Sequence, residues 1–243
     1  MVTKPLGAGP ALVTGASRGI GRAIALKLAQ LGVHVVLLAR NESDLATVVR
    51  EIEGTGGSAE CYALDLSDLT SLPDKLAGIV QQHGPFQVLI NNAGMGYTAD
   101  IVDTSLQDWQ RVLDLNLTAA FSCIKAVLPG MRQAQSGHIV NVLSIAGKQA
   151  FPGWGAYCAS KFGLMGLTKA LSQEAGKDGI RVTAYCPGSV NTPLWDTDTV
   201  QADFDRSQML DVETVAETLV HALCLPANAV VDELVLMPSG GAF

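Results

Sequence analysis

A phenol and an ammonium stand four residues apart in this chain, at Tyr157 and Lys161. On a helix that spacing puts both groups on one face, a turn from each other. A tyrosine ordinarily loses its proton near pH ~10, and a cation within about 4–6 Å favours the phenolate and pulls that value down. The pair therefore predicts a tyrosine tuned to pass a proton. Ser144 lies thirteen residues ahead of it and offers a hydroxyl to an oxygen that gains negative charge. Two further runs belong to the same set: Thr-Gly-Ala-Ser-Arg-Gly-Ile-Gly at 14–21 and Asn-Asn-Ala-Gly at 91–94.

These groups are far apart in sequence, so a fold must bring them together. Apolar, β-rich runs at 11–13, 33–39, 59–64, 88–91, 138–143, 181–185 and 233–237 predict seven strands. Between them, apolar residues at three- and four-residue spacing predict helices over 19–31, 43–54, 69–83, 106–131, 156–177 and 212–223. Several strand runs are unbroken instead of alternating, as required when helices cover both faces of a parallel sheet. The βαβα succession implies right-handed crossovers and a doubly wound α/β fold, with a crevice at the carboxyl ends of the strands. Thr14, Ala39, Asp65, Asn91, Ser144 and Pro187 fall at or just after those ends. No linker or 20–50-residue repeat interrupts the chain, which predicts one domain over 1–243.

The 14–21 run follows a strand and opens a helix, so its backbone N–H groups and the positive helix end can hold a pyrophosphate. Its glycine spacing is G-x-x-x-G-x-G. Taken with Ser144, the Tyr157/Lys161 pair and the Asn-Asn-Ala-Gly run, it resembles the short-chain dehydrogenase/reductase family, of the NADPH-preferring carbonyl reductase type. The resemblance implies a Rossmann-like seven-stranded parallel sheet with helices on both faces. It also implies a tetrad of Asn116, Ser144, Tyr157 and Lys161, with Asn116 holding a water that links Lys161 to solvent.

For the cofactor it implies Gly15, Ser17, Arg18, Gly19, Ile20 and Gly21 at the phosphates, and Asp65 with Leu66 at the adenine. Asp65 as a turn or helix-cap aspartate is the other reading. Asn92, Ala93 and Gly94 would border the adenine ribose, with Asn91 supporting the central strand. Tyr157 and Lys161 would sit by the nicotinamide, and Pro187, Gly188, Val190 and Thr192 would fix its carboxamide. NAD-dependent members place an acid at the end of the second strand, where this chain has Ala39 followed by Arg40. Arg18 and Arg40 together fit a 2′-phosphate, so NADP(H) is expected over NAD(H). Leu143 replaces the first of the family's usual serine pair, a change expected to alter packing and not chemistry.

A substrate lid is expected at 193–211, where Leu194, Trp195, Phe204 and Met209 alternate with Asp196, Asp198, Asp203, Asp205 and Asp211. Met95, Tyr97, Phe151, Trp154, Leu194 and Trp195 are candidates to line the substrate pocket. An acidic rim around apolar residues suits an uncharged, moderately apolar ketone, aldehyde or secondary alcohol. Three other readings stay open. One is a 3-oxoacyl-acyl-carrier-protein reductase, although Gln135 and Asp178 stand where its docking arginines are expected, with Arg132, Lys148 and Lys177 nearby. The second is an NAD-linked alcohol oxidant, and the third a non-catalytic NADPH-binding sensor or scaffold.

The chain of 243 residues is 48% hydrophobic, enough for a core with both sheet faces covered, and carries a net charge of −7. That charge argues against a nucleic-acid surface. The five cysteines are scattered and do not cluster with the four histidines, so neither a metal site nor a disulfide framework is expected. No uninterrupted apolar run reaches about 18 residues, and the first nine lack the apolar middle of a secretory signal. A soluble cytoplasmic protein is expected. The helices over 106–131 and 156–177 resemble the family's dimer faces, which implies a homodimer or homotetramer, and the tail after Met237 is shorter than in many members.

Overall fold

A computed structural model of the chain describes residues 6, 9–202 and 204–241. Expectations that rest on the first residues, on Asp203, and on Ala242 and Phe243 therefore lie outside the described residues. Seven strands, β1 (Ala11–Thr14), β2 (Val35–Ala39), β3 (Ala59–Ala63), β4 (Val88–Asn91), β5 (Gly137–Val142), β6 (Ile180–Pro187) and β7 (Glu233–Leu236), form one sheet. All pairings are parallel and the order is β3-β2-β1-β4-β5-β6-β7. The seven expected strands are all present. Chain order reverses between β1 and β4, which opens a crevice at their carboxyl ends.

Successive side chains of a strand point to opposite faces, and both faces here are covered. From β2, Val35 and Leu37 pack into one core with Ile24 and Leu28 of α1 (Gly19–Gln30), Val48 and Ile52 of α2 (Glu42–Gly54) and Leu219 of α7 (Val212–Leu223). Val36 and Leu38 pack into the other, with Leu76 of α3 (Leu72–His83), Val127 of α5 (Ala119–Ala134) and Leu171 of α6 (Gly155–Ala175). The unbroken apolar spelling of β2 is thus the consequence of two cores meeting on one strand.

Two helices depart most from the sequence expectation. Helix α3 starts at Leu72, not 69, because Asp65 and Asp68 turn the chain through bonds to Ser67 and Ser71, and Pro73 then fits the first helical turn. The single helix expected over 106–131 is α4 (Leu106–Leu113), a π turn (Asp114–Thr118) and α5 in succession. Over 106–134 this continuous stretch is long and apolar enough to cross a membrane by length and composition, a property the search for an uninterrupted run missed. Its inner residues Cys123, Val127 and Met131 are buried in the core.

Candidate functional site

The ends of β1, β2, β4, β5 and β6 open into a cleft of about 1130 Å³. At its nucleotide side the glycine turn is built from β1 and β4 together. Thr14 Oγ1 donates to the Ile90 carbonyl (3.3 Å) and accepts from the N–H groups of Asn92 and Ala93 (3.0 Å each). Asn92 Nδ2 donates back to the carbonyls of Thr14 (3.0 Å) and Gly15 (3.2 Å). Helix α1 is drawn so close that a Cβ on Gly21 would lie 2.3 Å from the Gly15 carbonyl oxygen. Gly15 itself has φ +64°, a left-handed conformation that glycine adopts without strain.

The start of α1 suits an anion. Arg18 at its N-cap makes no side-chain cap, and its first turn contains no acid. Helices α2, α4 and α7 are capped by Asn41, Ser105 and Asp211, while α3, α5 and α6 likewise lack a side-chain cap. Gly15, Ser17, Arg18, Gly19 and Ile20 line the cleft, as do Ala39, Arg40, Asp65 and Leu66. Gly21 does not; it serves the close packing of helix on turn. The Asp65 carboxylate accepts from the N–H and hydroxyl of Ser67 (2.9 and 2.6 Å), which holds its pKa below the usual carboxylate value against burial, with the Arg40 charge helping. It is therefore a turn aspartate that also faces the cleft. Asn91 points away, donating to Asn141 Oδ1 (2.8 Å) in a buried ladder that continues to Thr168.

The chemical groups gather on the opposite wall. Ser144 follows β5, while Tyr157 and Lys161 lie in the first turns of α6; all three line the cleft. Lys161 is buried, its Nζ donating to the Val142 carbonyl (3.0 Å) and sitting 5.7 Å from the centroid of the Tyr157 ring. Burial pushes Lys161 down to about 8. Burial also pushes the Tyr157 phenol up to about 12, with hydrogen bonding to Ser144 acting in the opposite direction. In both groups removal from water is the largest influence, ahead of any neighbouring charge.

Asn116 lies behind these groups. It is buried within the π turn and does not line the cleft. Its Oδ1 accepts from the Met95 N–H (2.8 Å), while Nδ2 donates to the Met95 carbonyl and to Ser160 Oγ (3.0 Å each). Ser160 in turn donates to the Tyr157 carbonyl (2.7 Å). The amide thus ties the β4 loop to α6. The sequence reading missed Ser160, although a serine three residues after a helical tyrosine is placed for such a back-bond.

On the substrate side Met95, Phe151, Trp154, Leu194 and Trp195 line the cleft, joined by Phe204. Tyr97 does not: its hydroxyl turns to Asp108 (3.5 Å), so it leaves the set of candidate pocket residues. Trp154 stands edge-on to Tyr157 (centroids 5.4 Å) and to Trp195 (5.9 Å), which meets Phe204 edge-on (5.4 Å). Pro187, Gly188, Val190 and Thr192 line the same space. The 193–211 segment includes short 3₁₀ turns at Pro193–Asp196 and Arg206–Gln208. Arg206, unremarked in the sequence, clamps it by donating to Asn191 Oδ1 (2.8 Å), the Thr192 carbonyl (3.1 Å) and Asp196 (2.6 Å).

Residues 10–203 match the family model for short chain dehydrogenases. The chain belongs to the short-chain dehydrogenase family. It is 37% identical over 254 aligned positions to a putative ketoacyl reductase of Streptomyces coelicolor, covering 95% of each chain. A metagenomic short-chain oxidoreductase solved in complex with NADP superposes with a TM-score of 0.85 at 34% identity, covering 97% of this chain and 99% of that one. A variant of the actinorhodin polyketide ketoreductase solved with NADPH gives a TM-score of 0.86 at 33% identity, covering 97% and 98%. The family's sheet is the one found here, and it makes the chain a member of an oxidoreductase family. The Leu143 departure is a packing change, since its side chain is buried with Leu164, Met165 and Ala184.

Proposed function

We propose that the chain is an NADP(H)-dependent carbonyl reductase in which Tyr157 is the general acid and base. One observation carries the reading: Ser144, Tyr157 and Lys161 line the same cleft as the uncapped start of α1 and the two arginines, Arg18 and Arg40. The donor set fits the cofactor. Backbone N–H groups at 15–20 suit the pyrophosphate, Arg18 and Arg40 suit a 2′-phosphate, and Val190 and Thr192 suit the carboxamide. The absence of an acid at Ala39 supports NADP(H) over NAD(H), as do the NADP and NADPH complexes of the similar structures. The nicotinamide, when bound, supplies the hydride to the carbonyl carbon.

The protein's own work is the proton. Tyr157 donates its phenolic proton to the carbonyl oxygen while Ser144 Oγ steadies the charge growing there. A phenol that burial holds protonated is ready as an acid in the reductive direction. Lys161, brought by burial to about 8, is poised near neutrality to return that proton. Asn116 positions the machinery by fixing Met95 and Ser160.

The substrate is an uncharged ketone or aldehyde with an apolar body, held against Trp154, Trp195 and Phe204, with 193–211 as the lid of a single domain. A carrier-protein substrate has less support, because two of the three bases near the expected docking positions are already paired, Arg132 with Asp178 (2.9 Å) and Lys148 with Glu233. Exposed Leu106, Trp109 and Phe121 on α4 and α5 and Phe162 on α6 give the apolar face through which copies of the chain would associate. The deciding assay follows NADPH and NADH oxidation with a panel of free ketones and aldehydes beside a β-keto thioester. Turnover that prefers NADPH with free carbonyls is expected; a preference for NADH overturns the cofactor reading, and turnover of the thioester alone overturns the substrate reading.

A further inference from the structure

At the end of the sheet opposite the cleft, three side chains from three separate elements converge. His34 precedes β2, Glu60 lies near the start of β3, and His83 ends α3. His34 Nε2 is 4.0 Å from Glu60 Oε1, and His83 Nε2 is 3.7 Å from Glu60 Oε2. The three donor atoms lie within 4.8 Å of one another. The two imidazoles stack with centroids 5.7 Å apart and planes at 27°, so both ring edges face the same carboxylate. The side chain of His83 is 7% exposed, whereas that of Glu60 is 50% exposed and open to an ion from solvent.

We propose that His34, His83 and Glu60 form a binding site for a borderline divalent cation such as Zn²⁺, Co²⁺ or Ni²⁺. Two neutral imidazoles and one carboxylate are the donor chemistry such ions favour, with water completing a tetrahedral shell. Bond lengths of about 2.0–2.2 Å place tetrahedral donors roughly 3.3–3.5 Å apart, so contractions of up to about 1.5 Å between donor atoms close the site. Side-chain torsions at a strand edge and a helix end supply that movement.

The surroundings of the triad also suit ligation. Ser58 Oγ lies 2.7 Å from His34 Nδ1. With Nδ1–H donating to that hydroxyl, the Nε2 lone pair is directed at the site, the arrangement that orients metal-bound histidines generally. Tyr62 OH bonds His83 Nε2 at 2.7 Å and lies 3.5 Å from Glu60, and Gln82 Nε2 reaches Glu60 at 3.4 Å. An incoming cation displaces the Tyr62 hydroxyl from Nε2, exchanging one neutral hydrogen bond for a coordinate bond.

A bound ion ties the edge strand β3 to β2 and α3, and stabilises the folded chain by mass action. It lies apart from the cleft and has no step in catalysis. Spacing along the sequence could not reveal it, because the ligands share no local motif.

The test titrates tag-free, chelator-treated protein with Co²⁺, following the visible spectrum, and with Zn²⁺ by calorimetry and thermal melting. One equivalent per chain is expected, with tetrahedral Co²⁺ bands, no thiolate charge-transfer band and a raised Tm. Glu60→Gln, which preserves shape, and His83→Ala should each abolish stoichiometric binding, while Ser58→Ala weakens it about tenfold. Cys61→Ser and His221→Ala should bind as wild type. No saturable binding by the wild type, a thiolate band, or binding that survives Glu60→Gln and His83→Ala overturns the proposal, whatever the outcome with NADPH.

Discussion

The floor of the cleft and the segment above it are held in different ways. At and beneath the floor, where Lys161 lines the cleft and Asn116 and Ser160 lie behind it, all three are buried and bonded to backbone carbonyls or to one another. The 193–211 segment rests on more exposed contacts, among them the Arg206 clamp, Thr199 Oγ1 donating to the Gly96 carbonyl (2.8 Å), and the Trp195 Nε1 bond to the Val190 carbonyl (2.8 Å). Buried polar groups have no water to fall back on, so each floor residue is confined to one arrangement. Exposed contacts exchange readily with solvent and leave the segment free to move at small cost. Chemistry assigned to the floor and selectivity assigned to the segment are consistent with that division.

If the division holds, damage to the floor should be severe and damage to the segment mild. Tyr157→Phe should lower kcat by about 10²–10⁴-fold with NADPH affinity retained, since only the proton donor is lost. Near-normal turnover by that variant would remove Tyr157 from the mechanism. Gly21→Ala places a methyl group against the Gly15 carbonyl and Asn92 Nδ2. Such overpacking costs on the order of 1–3 kcal/mol, so a lower Tm and weaker NADPH binding are expected together; an unchanged Tm would show that α1 and the turn are not held tightly.

Titration sharpens the contrast from another side. Lys161 gives up its proton near 8 in the folded chain against an ordinary value of 10.5. The folded state is therefore penalised while Lys161 is charged, and the penalty is relieved as pH rises from about 8 to 10.5. Melts of the cofactor-free wild type, referred to Lys161→Met, should accordingly gain stability across that window. A constant difference would mean that the lysine is solvated.

The smallest effect is expected at the clamp. Arg206→Ala removes a partly exposed ion pair and should change stability by about 1 kcal/mol or less. It should raise KM by up to about fivefold with kcat little altered. A loss of kcat as large as that of Tyr157→Phe would show that the segment belongs to the catalytic machinery and end the comparison.

Much of this was legible before the structure because it depends on local order. The period of apolar residues set the strands and helices, and helical geometry put Tyr157 and Lys161 on one face. The glycine spacing at 15–21 likewise follows from one turn and one helix start. Of the strand-end residues expected on the rim, Ala39, Asp65, Ser144 and Pro187 line the cleft, whereas Thr14 and Asn91 turn to Ile90 and Asn141.

Tertiary structure alone decided the rest. It turned Tyr97 to Asp108 and gave the Asn116 amide to Met95 and Ser160. It anchored Lys161 on the Val142 carbonyl, assembled His34, Glu60 and His83 from three elements, and set the directions in which Tyr157 and Lys161 shift. The reason is that burial is a sum over neighbours distant in the chain. Spacing determines which side chains share a face, whereas solvent exclusion, which governs charge and hydrogen bonding, exists only once the sheet and its two helical layers have closed around them.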